Sequence, residues 1–321
     1  MNFDIKKHTI LEVLSGSRAY GLATPESDYD YRGIAIPPKD YFLGFAFRFE
    51  QDEGQKKEDR AIFDVRKFFQ LAADCNPNII ELLWVPEHCI VVKTLWGERL
   101  LDAKKLFLST RAKHTFSGYA IAQLKRIKTH RRWLLNPPKE KPTREKYGLP
   151  EISIVSASIK SVLKAAESAE VSIEDMLSPA MVELWRKERA FFESQREWEN
   201  YERWQKERNP KRAALEVKFG YDTKHAMHLV RLMRMCREIL TIGEVIVERP
   251  DREELLAVRN GAWPYDQLVE YAEKQDRELT ELYESCKILP KSPDVKKLDA
   301  LCVEIVEDFL GIEYGPKEFI K

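Results

Sequence analysis

The sequence predicts an α+β chain: short strands alternate with helices up to about residue 108, and an almost wholly helical stretch follows. Three observations predict it. Compact apolar runs at Thr9–Leu14 (TILEVL) and Gly33–Ile36 (GIAI) have the length of buried strands. Gly16-Ser17 closes the first run and Pro37-Pro38 the second, as residues that break regular structure do. From about Ser109 onward, apolar residues recur over long segments with helical spacing. A chain of 321 residues has material for one large or two ordinary domains, and these patterns place the boundary between 1–108 and 109–321.

Each element follows from its local chemistry. After the first strand, Gly16-Ser17 opens a short helical turn over Arg18–Leu22. The second strand ends at its proline pair, and a polar loop (QDEGQKKED) leads to a third strand at Asp59–Phe63. Asp64 stands before the apolar-periodic run VRKFFQLAADC, where an aspartate caps a helix N-terminus. Asn76-Pro77 breaks that helix, and NIIELLW forms the next. Beyond Ser109, RAKHTFSGYAIAQLKRIKTHRRWLL reads as one long helix ended by Asn136-Pro137-Pro138. A Pro/Lys loop leads to a helix near 151–169, a charged and aromatic helix over 179–208, and TKHAMHLVRLMRMCREIL. Two or three more helices close the chain.

Composition excludes more than it assigns. Lysine plus arginine number 53, as do aspartate plus glutamate, so the net charge is zero. Any nucleic-acid footprint must therefore be local. Cys75, Cys89, Cys236, Cys286 and Cys302 are odd in number and nowhere form CxxC, which fits buried thiols in a reducing compartment. No signal peptide or membrane span is legible, and the expectation is a soluble, cytoplasmic protein.

The stretch LSGSRAYGLATPESDYDYRG (14–33) carries the chemistry. Alternation along a strand puts Asp28 and Asp30 on one face, about 7 Å apart, with Tyr29 and Tyr31 on the other. Such a pair can hold Mg²⁺, which takes a few carboxylate oxygens and fills its octahedron with water and substrate phosphates. Gly16 lets backbone approach a phosphate, Ser17 offers an amide and a hydroxyl, and Arg18 offers a guanidinium.

The composite of an apolar strand, Gly-Ser, ten residues, DxD and a second apolar strand resembles the nucleotidyltransferases of the DNA polymerase beta superfamily. More closely, the chain is similar to the nucleotidyltransferase family associated with RNA repair. The matching segments are GSRAYGLATPESDYDYRG, FDVRKFFQLAADCNPNIIELLW, FSGYAIAQLKRI, KPTREKYGLPE and KFGYDTKHAMHLVRLM, in order from residue 16 to 233. The resemblance implies an N-terminal polymerase-beta-like domain with a mixed sheet and a helical domain that closes over the site. It also implies a third carboxylate, so that three together hold two Mg²⁺ or Mn²⁺ ions for in-line displacement. Asp59 and Asp64 are the candidates. Five residues apart, they face opposite ways on a regular strand. Capping already accounts for Asp64, so Asp59 is preferred.

The helical half offers further cations. At about 100° per residue, Lys224, His228 and Arg231 share one arc with Arg234 beside it. Ala226, Leu229, Met233, Cys236 and Leu240 form the opposite, apolar stripe. An amphipathic helix with a solvated basic face explains this pattern, and the resemblance adds a nucleotide-binding role for Lys224, His228 and Arg231. His225 and His228 have no evident third zinc ligand. Lys125, Lys128 and Arg132, near Arg126 and Arg131 and after Phe116 and Tyr119, suit single-stranded RNA; Lys141, Thr143 and Arg144 are another candidate phosphate contact. The aromatics of 179–208 are expected to pack against their own domain.

The resemblance implies transfer of a nucleoside monophosphate from an NTP to a hydroxyl, releasing pyrophosphate. Asp28, Asp30 and Asp59 are the expected catalytic and metal residues, and Gly16, Ser17 and Arg18 the expected phosphate contacts. An RNA end, such as that of a tRNA, is the preferred acceptor. A protein or small-molecule acceptor, or a non-catalytic nucleotide- or RNA-binding module, are the alternatives.

Overall fold

A computed structural model of the protein describes residues 3–54, 59–169, 171–172 and 177–311. Five strands form one mixed sheet: β1 (Thr9–Ser15), β2 (Asp30–Ala35), β3 (Gln51–Asp52), β4 (Asp59–Asp64) and β5 (Ile90–Lys93), in the order β3-β4-β2-β1-β5. β1 runs antiparallel to β2 and β5, whereas β2 and β4 are parallel. An α+β fold with a mixed sheet is thus observed. Two strands escape the pattern read from the sequence. β3 is a two-residue edge segment inside the expected polar loop, and the four residues of β5 are too few for an alternation to register.

The described chain divides into two compact units, Met1–Ile127 with Tyr221–Lys321, and Lys128–Gly220. The boundary expected near residue 108 does not coincide with this division. The reason lies in the core. Sheet residues such as Ile10, Val13 and Ile34, and Phe116, Ala120 and Ile127 beyond the expected boundary, share one hydrophobic cluster with Leu229, Met233, Ile239 and Ile305.

In the first unit, the helix Val65–Ala73 buries Val65, Phe68, Phe69 and Ala72, an i, i+3, i+4, i+7 stripe. Asp64 caps it, accepting from the Arg66 amide at 2.8 Å. Asn76 caps Pro77–Ile80 in the same way, with proline at the first turn. The helix Thr223–Ile242 starts at an Asp222 cap and stops at Gly243 in the left-handed region. It is buried nearly all round, because the helices Arg252–Arg259 and Tyr265–Ser285 and the π-helical turn Lys113–Ser117 pack on it. The helix Val295–Leu310 packs against Val65–Ala73 and Leu95–Asp102. The long helix expected from Arg111 becomes that π turn followed by Gly118–Leu135.

The second unit holds the end of Gly118–Leu135 and the helices Ala157–Ser168, Pro179–Glu207 and Pro210–Phe219. Val155, Leu163, Val182 and Trp185 form one core. Trp133, Tyr201 and Trp204 form an aromatic cluster with His130. The aromatics of Pro179–Glu207 therefore pack within their own unit. Glu188, fully buried, accepts from both Arg144 nitrogens at 2.5 and 3.2 Å and from Ser153 at 2.8 Å. Among the described residues, no helix is long and apolar enough to cross a membrane.

Candidate active site

Register places the carboxylates. Ser15, the last residue of β1, stands opposite Asp30, the first of β2, and its hydroxyl donates to the Asp30 carbonyl at 3.1 Å. On the other side of β2, Asp30 pairs with Asp59, the first residue of β4. Asp64 sits at the far end of β4, opposite Ala35. It is 1% exposed and occupied by its cap and a 2.9 Å ion pair with Arg66. Asp59 thus adjoins Asp30, and Asp64 does not.

Gly16 is required where it stands. Its φ of +66° lies in the left-handed region, and a Cβ there would come 2.1 Å from Asp30 Oδ2. The Asp30 carboxylate therefore lies over bare backbone. Asp28 precedes β2 and is exposed. Burial pushes the Asp30 carboxyl up to about 6, helped by the hydrogen bond and charge of Asp59 and by the charge of Asp28, and opposed by Arg32. Like charges crowded together raise one member in this way.

Arg32 is the residue that the sequence reading missed. Its Nη2 donates to Asp59 Oδ1 at 2.8 Å, and its Nη1 to the Tyr31 and Asp59 carbonyls at 2.7 and 2.9 Å. Extending the alternation of Asp28 and Asp30 by two residues reaches it, so the signal was present. Among the described residues, no three His, Cys, Asp or Glu side chains converge as a ready metal cluster. Asp59 is taken up by Arg32 in a 2.8 Å ion pair. The donor set nevertheless fits a hard divalent ion. All three groups are carboxylates, and burial, with the hydrogen bond and charge of Asp59 and the charge of Asp28, already pushes the Asp30 carboxyl up.

The phosphate contacts expected from the sequence have more varied positions. Arg18 is held to the loop that carries Asp28: Nη2 donates to the Ser27 carbonyl at 2.9 Å, and the guanidinium lies 3.5 Å from the Tyr29 ring centroid. Ser17 sits in the turn Gly16–Ala19, its carbonyl accepting from Leu22. Lys224 and His228 are half-buried.

Arg231 requires a correction. It is 4% exposed rather than part of a solvated basic face. Its guanidinium lies 3.6 Å from the Tyr20 ring centroid and 3.6 Å from Glu81 Oε2, and the Tyr20 hydroxyl donates to Glu81 at 2.5 Å. Burial pushes the Glu81 carboxyl up, against the opposing pull of Arg231 and Tyr20. This buried trio ties the Gly16 turn to the helix Thr223–Ile242. The Arg249 amide donates to the Tyr20 carbonyl at 3.1 Å, and Arg252 to that of Gly21, which braces the same turn. Phe116 is likewise fully buried and cannot stack on a base, whereas Tyr119 is exposed. Arg144 is committed to Glu188.

A mixed sheet in which a Gly-Ser turn follows one strand beside the acidic start of the next is the frame of a polymerase-beta-like nucleotidyltransferase. The chain belongs to RlaP, the RNA repair pathway DNA polymerase beta family, whose family model matches residues 4–304. Among curated proteins it is similar to an uncharacterized 38.9 kDa protein in the nrdC–mobD intergenic region of Enterobacteria phage T4. They are 29% identical over 127 residues, 36% of this chain and 37% of the other. It is also similar to the uncharacterized protein YcgL of Bacillus subtilis (strain 168), 34% identical over 80 residues, 23% and 29% of the two chains. The chain thus spans about a third of the length of the curated relatives it matches. No solved structure matches.

Proposed function

We propose that this protein is a metal-dependent nucleotidyltransferase that moves a nucleoside monophosphate from an NTP to a hydroxyl of an RNA end and releases pyrophosphate. One observation carries the reading: Asp30 and Asp59 start adjacent parallel strands, with Asp28 nearby and Gly16 bare beneath Asp30. Family membership supports the reaction class and nucleic-acid partners.

Asp28, Asp30 and Asp59 are the groups that would hold two Mg²⁺ or Mn²⁺ ions, which supply Lewis acidity at the reacting phosphorus and the acceptor oxygen. Gly16 and Ser17 present backbone to the β- and γ-phosphates. Arg18 positions the Asp28 loop through Tyr29 and Ser27. Asp59 accepts the acceptor hydroxyl proton once Arg32 turns away from it, with Arg32 then free to meet phosphate charge. Arg231, Glu81 and Tyr20 hold the Gly16 turn from within.

The test is a transfer assay with each α-³²P nucleoside triphosphate, Mg²⁺ or Mn²⁺ and bulk RNA, alongside Asp28→Ala/Asp30→Ala protein. Label entering RNA with wild type alone is the expected result. Label entering protein or a small molecule instead would replace the acceptor. No transfer with any nucleotide would refute the reading.

A further inference from the structure

Asp59 comes with a cation of its own. Arg32 Nη2 donates to Asp59 Oδ1 at 2.8 Å, while Nη1 donates to the Tyr31 and Asp59 carbonyls at 2.7 and 2.9 Å. One guanidinium therefore spans the starts of the parallel strands β2 and β4, whose first residues are Asp30 and Asp59. Its charge also acts on Asp30, opposing the rise of that carboxyl. A single internal cation thus serves two of the three carboxylates that would hold divalent ions.

A cation in that place competes with a metal ion. A carboxylate engaged by a guanidinium offers less negative charge to a second cation, and two positive charges beside one carboxylate repel each other. The contact is also breakable. The Asp59 side chain is 61% exposed and that of Arg32 24%, and ion pairs open to solvent are weak. An arginine held this loosely, on the strand that carries Asp30, has a second use. Its planar fork takes two phosphate oxygens as readily as two carboxylate oxygens.

We propose that the Arg32–Asp59 pair is a latch on the site: Arg32 neutralises Asp59 in the resting protein, holds divalent-ion affinity down, and leaves for the substrate triphosphate when metal and substrate bind together. The proposal rests on the nucleotidyltransferase reading above and adds how that same site is regulated. Metal and triphosphate each take one member of the pair, so the binding of either frees the partner that the other needs. Their affinities are therefore coupled, and the coupling is reciprocal.

The test reads binding without turnover. Mn²⁺ is titrated into the full-length protein with no nucleotide, and unbound Mn²⁺ is counted by electron paramagnetic resonance. Arg32→Ala is expected to bind Mn²⁺ about fivefold more tightly than wild type, the share of one exposed ion pair. A merely structural role for Arg32 would weaken binding instead. Arg32→Lys, which keeps a charge and loses the fork, is expected to shift affinity in the same direction by less, and it serves if alanine disturbs the strand. Calorimetry with inorganic tripolyphosphate in metal-free buffer reads the other half. Asp59→Ala frees Arg32 and is expected to tighten tripolyphosphate binding, by a factor several times smaller when Arg32→Ala is also present. Loss of a negative charge alone would give the same factor in both backgrounds. Mn²⁺ affinity that is unchanged, lowered or undetectable in both Arg32 variants would overturn the proposal, as would equal factors with tripolyphosphate. The two proposals fail separately. Transfer into RNA with unaltered Mn²⁺ affinity in the variants removes the latch and keeps the enzyme; tightened Mn²⁺ binding with no transfer keeps the competition for Asp59 and removes the enzyme.

Discussion

At the residue scale, two positions link backbone geometry to the charge of the site. Gly16→Ala meets both a left-handed φ and the Asp30 carboxylate. The strain costs about 1–2 kcal/mol, and relief requires Asp30 to move. Urea unfolding should show that loss, and transfer should fall by about 10² or more, because a displacement of about 1 Å has that effect on rate. Asp30 itself is held near 6, against about 3.9 in an unfolded chain. Between those values the folded protein binds the extra proton, so its stability falls as pH rises from about 4 to about 6. The deficit is full above that window. Asp30→Asn removes it. In metal-free buffer the variant should therefore be more stable than wild type at pH 7.5. The gain is on the order of 1 kcal/mol after allowance for the half-exposed site, and it should vanish near pH 4. Equal melting shifts at both pH values would show that Asp30 is not perturbed.

At the element scale, a buried acid joins one helix to the loop and helix before it. Glu188 on Pro179–Glu207 gathers Arg144, Ser153 and Lys160 from the preceding loop and helix. Glu188→Leu strands the half-buried Arg144 guanidinium, and leaving such a hydrogen-bonded group unpaired costs about 1–2 kcal/mol. Calorimetry should show a lowered transition. Replacing both members, with Arg144→Met added, should recover part of the loss, because the stranded charge is then gone. No recovery in the double variant would mean that Glu188 acts through packing alone. The same logic explains Arg231. Helical spacing put it on a face with Lys224 and His228, yet spacing carries no information about what packs over that face. Glu81 and Tyr20 lie there, so the guanidinium is internal.

At the scale of the whole molecule, the sheet shares its core with residues from the far end of the chain. Leu229, Met233 and Ile239 from Thr223–Ile242 and Ile305 from Val295–Leu310 belong to the cluster that contains Ile10, Val13 and Ile34. A fragment of residues 1–108 would expose that surface to water. It should lack a cooperative urea transition and bind a hydrophobic dye, whereas the full chain should unfold cooperatively. A sharp transition in the fragment would show that the N-terminal part is a self-sufficient domain.

Much of this architecture was legible locally. The strands Thr9–Leu14 and Asp59–Phe63, the Asp64 cap and the Asn76-Pro77 break depend on neighbours a few residues away. Short-range sterics and hydrogen bonding act there, and the sequence by itself determined them. Only the tertiary structure decided that Asp59 stands beside Asp30, that Arg32 answers it, that Arg231 is buried on Tyr20, and that residues 221–305 complete the sheet's core. Those outcomes depend on strand register and on which surfaces meet across long stretches of chain. The free energy that selects among such pairings comes from burial shared by distant segments, which no local pattern encodes.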